Sequence, residues 1–386
     1  MKQLGITSEG ALSHEAAAEH RRGPMPRVWL LMGHRAGDNA QVLALAEALG
    51  WPFQIKRFVY RKYEFLTNRL IGCTLAGIDR RRSDPLTPPW PDLVITAGRR
   101  NEPVARWVQA RSGGRTRLIH LGRSWAKPRH FDLIVTTPQY RVPALPNVLQ
   151  IEAPLHRVTP ARLAEAADRW RPALRHLPRP LIAVLIGGDS PPYVFDVEMA
   201  ERLGRQAAAL ARAQRGSLLV TTSPRTRAAA AAALRQVIDV PCHFYEWQPD
   251  PDSNPYLGYL ALADSLIVTG ESMSMVAEAC ATGKPVRIFD MGRGWTRMRA
   301  PGDRAKEREP PPALGLAERL EPKRVLHWLL AHGLPARIRR DVRNILRPFV
   351  ASGRAVWLGD EVASVTAPAP TDLPRTVARV RALFEN

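Results

Sequence analysis

Four short stretches of this chain combine glycine, hydroxyl and charged side chains as a phosphate-bearing ligand would require. The first is GHRAGDNAQ, Gly33–Gln41. Gly33 and Gly37 permit a tight turn and close backbone approach, and a helix starting near Asn39 would present free amides. His34 and Asp38 are its acid–base candidates; in the plainer reading Asp38 or Asn39 caps the helix. The spacing is not G-x-G-x-x-G, so no dinucleotide cofactor is expected. The second is IGGDS, in which Gly187 and Gly188 would let a ligand approach the backbone. The third is TTSPRT, Thr221–Thr226: Arg225 can grip a phosphate through two donors, while Ser223 reads equally as a cap for a helix with Pro224 in its first turn.

The fourth stretch, TGESMSMVAEACATGKPV, carries the most chemistry. Ser272 and Ser274 lie where a helix begins, so hydroxyls and backbone amides converge there. The positive end of a helix favours a phosphate by about 0.3–1 kcal/mol. Glu278 follows one turn beyond Ser274 and can accept hydrogen bonds from both hydroxyls of a ribose, each contributing about 1.5–3 kcal/mol. Phosphate at the tip and ribose along the side describe a nucleotide. The alternative is a solvent-facing acid on an amphipathic helix.

The elements that would position these residues fall into two series. The first holds strand candidates at Val28–Met32, Phe53–Phe58, Leu93–Ala97, Leu118–Leu121, Leu133–Thr136 and Val148–Ile151, with an amphipathic helix over Ala40–Leu49. The second holds Leu181–Ile186, Leu218–Thr222, His243–Tyr245, Ser265–Val268 and Val286–Phe289, with a helix over Val197–Ala213. Short apolar runs separated by helices are the rhythm of parallel sheets buried on both faces. The expected fold class is α/β, two Rossmann-like domains facing a central cleft. The expected division is a polar tail over 1–25, an N-terminal domain over 26–155, a Pro- and Arg-rich connector over 156–180, a C-terminal domain over 181–335 and a helical extension over 336–386. Further helix is expected near Leu316–Leu330 and Asp372–Phe384, beyond a charged, Pro-rich loop over Gly292–Pro312.

The bulk properties narrow the function classes. The chain has 386 residues, enough for two cores. Its formal charge of +20 and pI near 10.9 invite a nucleic-acid reading. Arginine greatly outnumbers lysine and accompanies abundant alanine and proline, as GC-rich codon usage produces, and no zinc-finger, helix-turn-helix or ribonucleoprotein motif is present. No specific nucleic-acid partner is therefore expected. Cys73, Cys242 and Cys280 are far apart and form neither a disulfide framework nor a metal site. With no signal-like apolar region and no apolar run of about 18 residues, the expected location is cytoplasmic, with peripheral contact at the inner membrane as the further expectation. The stretch Tyr60–Ile78, with Phe65, Leu66, Leu70, Cys73 and Leu75 between basic flanks, would supply that contact as an interfacial helix, unless its apolar face packs on its own sheet.

The fourth stretch resembles the donor-nucleotide segment of GT-B glycosyltransferases, especially the GlcNAc transferase that completes lipid II, and the matching part of non-hydrolysing UDP-GlcNAc 2-epimerases. More narrowly, GHRAGDNAQ, ITAGRRNEPVA, FDLIVTTPQY, PNVL, IGGDS, TTSPRT and TGESMSMVAEA, in that order over about Arg27–Met291, resemble the elongated-mitochondria fission family. The resemblance implies a GT-B fold, with Glu278 on the ribose and Ser272, Met273 and Ser274 on the diphosphate. It implies a nucleotide-sugar substrate, with a UDP-sugar the expected donor, also held by Gly187, Gly188, Ser223 and Arg225. A lipid-linked or cell-envelope glycan acceptor would lie near Gly33, His34, Gly37, Asn39, Arg99, Arg100 and Asn101. Asp38 would be the general base, standing where the peptidoglycan enzyme has a His, and Arg225, Lys284 and the helix amides would stabilise the departing diphosphate without a metal. Plant members of the fission family help recruit dynamin-related proteins, which implies the alternative of a non-catalytic membrane-associated adaptor. Epimerisation on the same scaffold is the further alternative, although Ser272-Met273 stands where epimerases carry a glycine pair.

Overall fold

The computed structural model describes residues 25–61, 72–250, 252–293, 296–299, 340–361 and 372–385. Two six-stranded, wholly parallel sheets organise them. In the first, β1 (Val28–Met32), β2 (Phe53–Arg57), β3 (Leu93–Ala97), β4 (Arg117–Leu121), β5 (Leu133–Thr136) and β6 (Val148–Gln150) are ordered 2-1-3-4-5-6. In the second, β7 (Leu181–Leu185), β8 (Ser217–Thr221), β9 (Cys242–Tyr245), β10 (Ser265–Thr269), β11 (Val286–Phe289) and β12 (Val356–Trp357) are ordered 12-11-10-7-8-9. Every residue of β1, β3, β7, β8 and β10 is buried, so the apolar runs read in the sequence are strands covered on both faces.

Nine α-helices are described. α1 (Ala36–Leu49) and α2 (Glu102–Arg111) belong to the first lobe, and α3 (Pro160–Leu174) leads to the second. There lie α4 (Val197–Gln214), α5 (Ala228–Gln236), α6 (Tyr256–Leu262), α7 (Met273–Cys280) and α8 (Arg343–Ala351). The last, α9 (Asp372–Arg381), returns to pack on α1, and its Val380 is fully buried in the first core. The Asp372 carboxylate fixes that return by accepting from the amides of Glu152 and Ala153 at 2.9 and 3.0 Å.

Two expectations about α1 are corrected. Its apolar residues surround the axis instead of forming one stripe, because the sheet lies on one side and α9 on the other. It also starts at Ala36, with Arg35 in the cap position, so Asp38 and Asn39 are first-turn residues and neither is the cap. The Asn39 amide is engaged elsewhere: its Oδ1 accepts from the Gly33 amide at 2.8 Å and its Nδ2 donates to the Gly33 carbonyl at 3.0 Å.

Of the expected interfacial segment, 62–71 lies outside the described residues, as does the expected helix near Leu316–Leu330. The described flank turns inward, with Ile78 buried and Leu75 packed on the core of the first lobe. Among the described residues no helix is long and apolar enough to cross a membrane.

Candidate active site between the lobes

In a parallel sheet the strand order reverses where consecutive crossovers leave in opposite directions, and the crevice beyond the strand ends there is open to a ligand. The first sheet reverses between β1 and β3, the second between β7 and β10. Glycine loops follow all four strands: Gly33–Gly37 after β1, Gly98 after β3, Gly187-Gly188 after β7 and Gly270 after β10. The two crevices face one another. A β-carbon added at Gly37, in the first turn of α1, would stand 3.0 Å from the Ser274 hydroxyl in the first turn of α7. Two helix N-termini, both electropositive, therefore meet in the cleft.

Arginines gather around them. Arg123 and Arg225 both lie below the ordinary guanidinium pKa, burial being the main cause, with repulsion from Arg340 and Arg35 adding to it. Four cations within electrostatic reach of one another, at two helix N-termini, make a cleft that favours a multiply charged anion. Arg340 also ties the lobes. Its Nε donates to Gln139 Oε1 of the first lobe, and its Nη1 and Nη2 donate to Ser190 Oγ and the Glu271 carbonyl of the second, all at 2.8 Å.

Three carboxyl groups stand in this field. Asp38 is half-buried beside Gly98, whose positive φ of 75° suits glycine and where a β-carbon would come within 3.2 Å of Asp38 Oδ2. Burial raises the Asp38 pKa, against the lowering influence of Arg35, His120 and Arg340. Glu278 is half-buried, not turned out to solvent; Tyr256 Oη donates to its Oε2 at 2.5 Å, and desolvation pushes its carboxyl up to about 7. Glu271 is fully buried, and neither carboxylate oxygen has a hydrogen-bond partner among the described residues. Burial pushes it to about 7, opposed first by Arg225, whose Nη2 lies 3.7 Å away, and then by the nearby Thr269 hydroxyl, its own backbone amide and Arg340.

Several sequence expectations change once partners are known. The room left by the diglycine is filled by protein. A β-carbon at Gly187 would come 2.0 Å from Glu271 Oε1, and one at Gly188, where φ is +84°, 2.5 Å from the Arg225 backbone. Both glycines are buried and shape the site from beneath. Ser223 caps no helix, since α5 begins at Ala228 behind Arg227 and leaves Pro224 in the preceding turn. Its hydroxyl donates to the Gly187 carbonyl at 2.5 Å and accepts from the Arg225 amide at 3.2 Å, joining the loops after β7 and β8. Met273 points into the second core and Ser272 is nearly buried, leaving Ser274 as the half-exposed hydroxyl at the start of α7. Lys284, expected to stabilise a departing diphosphate, is engaged elsewhere: its Nζ donates to the carbonyls of Leu260 and Ala261 at 2.8 and 2.6 Å, satisfying the open end of α6. Asn101 is fully buried, its Nδ2 donating to the Leu31 carbonyl at 2.7 Å, so it braces β1 against β3. Arg100 stacks over Tyr60 and Arg99 over Trp125, while His34 is exposed with its ring edge toward Tyr60.

Glu271, Arg340, Arg35, Arg123 and Tyr256 were not singled out from the sequence. Glu271 had a usable signal, an acid directly after a strand-end glycine among small residues. Arg340 had none, being one arginine in a basic run far along the chain.

The family model for mitochondrial fission ELM1 matches residues 36–309. The mitochondrial fission protein ELM1 of Arabidopsis thaliana is 26% identical over 220 residues, 51% of this chain and 51% of that protein, so the chain spans about half the length of that relative. An uncharacterized protein of Rickettsia prowazekii (strain Madrid E) is 23% identical over 295 residues, 68% of this chain and 82% of that one. Among solved structures, UDP-GlcNAc 2-epimerase from Neisseria meningitidis bound to UDP-GlcNAc aligns with a TM-score of 0.46 at 11% identity, over 93% of this chain and 100% of that one. MurG of Acinetobacter baumannii aligns with a TM-score of 0.39 at 11% identity, over 92% and 99%. The two-lobed fold rests on the strand order above and not on these scores.

Proposed function

This chain belongs to the mitochondrial fission ELM1 family, and within that family we propose that it is a glycosyltransferase of the GT-B type, moving a sugar from a nucleotide-sugar donor, a UDP-sugar, to a lipid-linked or cell-envelope acceptor. The observation that carries the reading is the meeting of two helix N-termini and four arginines in one cleft, with a half-buried carboxylate along the second helix. A diphosphate answers the cations, and a ribose answers Glu278.

In this reading the start of α7, through Ser274 and the local amides, receives the diphosphate, and Arg225 and Arg340 stabilise the charge that develops as it leaves. Glu278 accepts from the ribose hydroxyls while Tyr256 fixes the orientation of its carboxylate. Asp38, in the first turn of α1 on the opposing lobe and beside Gly98, takes the proton of the acceptor hydroxyl; its raised pKa makes it a stronger base than an ordinary Asp. The new glycosidic bond forms as the sugar–phosphate bond breaks, and the nucleoside diphosphate carries the electron pair away.

The Arabidopsis relative is named for mitochondrial fission and not for a transfer reaction, which keeps a second reading, a non-catalytic membrane-associated adaptor, open. Isothermal titration with UDP-, ADP-, GDP- and CMP-linked sugars separates the two. Tight binding of one nucleotide-sugar, followed by acceptor-dependent release of its nucleotide, is expected of the transferase. Absence of binding across the panel would leave the adaptor. Conversion of the donor without an acceptor would point to an epimerase.

A further inference from the structure

The first lobe carries a second cationic feature, which shares Arg123 with the cations of the cleft and extends along the first-lobe rim to Arg99 and Trp125. Gly122, with φ of +89°, turns the chain out of β4 and is followed by Arg123, Ser124 and Trp125. The Trp125 indole is 43% exposed, one of few large apolar side chains so placed among the described residues. Its backbone is nevertheless held firmly. Glu102, fully buried, accepts from the Trp125 amide at 2.7 Å and from the Ala126 amide at 2.8 Å, and the buried His120 Nε2 lies 3.2 Å from the same carboxylate. A buried acid satisfied by the amides of an exposed loop is a costly way to make an ordinary surface turn. It fixes where the indole stands.

Two guanidiniums are arranged on that indole, Arg99 at 5.0 Å and Arg123 at 5.6 Å from the ring centre, and Arg123 also lies 5.6 Å from the Tyr140 ring. Stacking on an aromatic face holds a guanidinium's plane while keeping its in-plane N–H donors, which suits bidentate capture of a phosphate. Arg99 follows β3 and Arg123 follows β4, so both stand at the carboxyl ends of the strands, on the rim of the first-lobe crevice.

We infer that Arg99, Arg123 and Trp125 form a second anion-recognition site that takes a phosphate-bearing glycan, the two arginines holding the phosphate and the indole packing against the apolar face of the sugar. Calling this glycan the acceptor rests on the proposed transferase reading; its chemistry, a sugar carrying a phosphate, rests on the platform alone.

The test is isothermal titration of the full chain, previously saturated with UDP, against N-acetylglucosamine 1-phosphate, decyl phosphate and uncharged N-acetylglucosamine. Binding of a phosphorylated probe at least about tenfold tighter than the uncharged sugar is expected, the effect of roughly one charge-assisted hydrogen bond. Trp125→Ala and Arg99→Ala should each weaken that binding by about tenfold or more, with Trp125→Phe restoring part of it, while UDP affinity and the unfolding midpoint stay at wild-type values. Preference for decyl phosphate would identify a lipid-linked source, and preference for the sugar phosphate a soluble one. Phosphorylated probes binding no better than the uncharged sugar, binding only by displacing UDP, or binding undiminished in the folded variants would each overturn the inference. Should UDP itself fail to bind while the phosphorylated probe binds through these residues, the donor reading falls and this site stands.

Discussion

Glu271 and Glu278 are both held near a pKa of about 7, by different surroundings with different consequences. Glu271 is sealed against Gly187 and Arg225. Its folded pKa lies above the 4.5 of an unfolded chain, so the native state binds the proton more tightly. The stability this provides is fully present below about pH 4.5 and is lost as pH rises through about 7, amounting to roughly 3 kcal/mol. Replacing Glu271 by Gln should flatten the thermal-midpoint profile between those pH values; an unchanged slope in calorimetry would show that the carboxyl is not desolvated as described. Asp38 is raised for the same physical reason, so the acid limb of the transfer rate should lie above 3.8, the ordinary value. Asp38→Asn should remove that limb along with most of the rate, by about 100-fold or more. Transfer at the wild-type rate in the variant would remove Asp38 from the base role.

At the scale of elements, the loops after β7, β8 and β10 interlock. The Gly188 position has positive φ and no space before the Arg225 backbone, and the Asp189 amide donates to the Arg225 carbonyl at 3.0 Å. Gly188→Ala should therefore destabilise the chain by about 2 kcal/mol or more, and disturb Arg225 with it. Wild-type stability by chemical denaturation would mean that the loops are looser than their packing implies. All the strands but the two-residue β12 are plain in the sequence: runs such as LVITA and LIAVL are almost wholly apolar because both faces are covered, and the expected bounds agree with the observed ones to within one residue. Helix starts were less legible where the cap is not a capping residue. Arg35 opens α1 with no side-chain bond to an amide, while Asn39, the residue that looks like a cap, instead brackets Gly33. The glycine loops were visible as motifs, yet which atoms fill them depends on tertiary neighbours that spacing does not encode. Gly187 reads as space for a ligand until Glu271 is seen beside it.

Taken as a whole, the molecule is two parallel-sheet lobes whose strand ends face one cleft, bridged by Arg340 and strapped by α9 on the far side of α1. Arg340→Ala removes three hydrogen bonds from one charged group, worth about 1.5–3 kcal/mol apiece where buried, and should let the lobes separate. A larger radius of gyration by small-angle scattering and faster amide exchange around Gln139 and Ser190 are expected; unchanged values in both would mean that the lobes are held by other contacts. No sequence pattern disclosed this bridge, because its three partners come from different loops. The measurement that bears most directly on the central claim is the affinity of UDP for the wild-type chain and for Glu278→Ala, compared by calorimetry. The account predicts that the wild type binds and that the variant, still folded, binds at least about tenfold more weakly, from loss of the ribose acceptor. Equal affinity in the two proteins, or no UDP binding by the wild type, would contradict it.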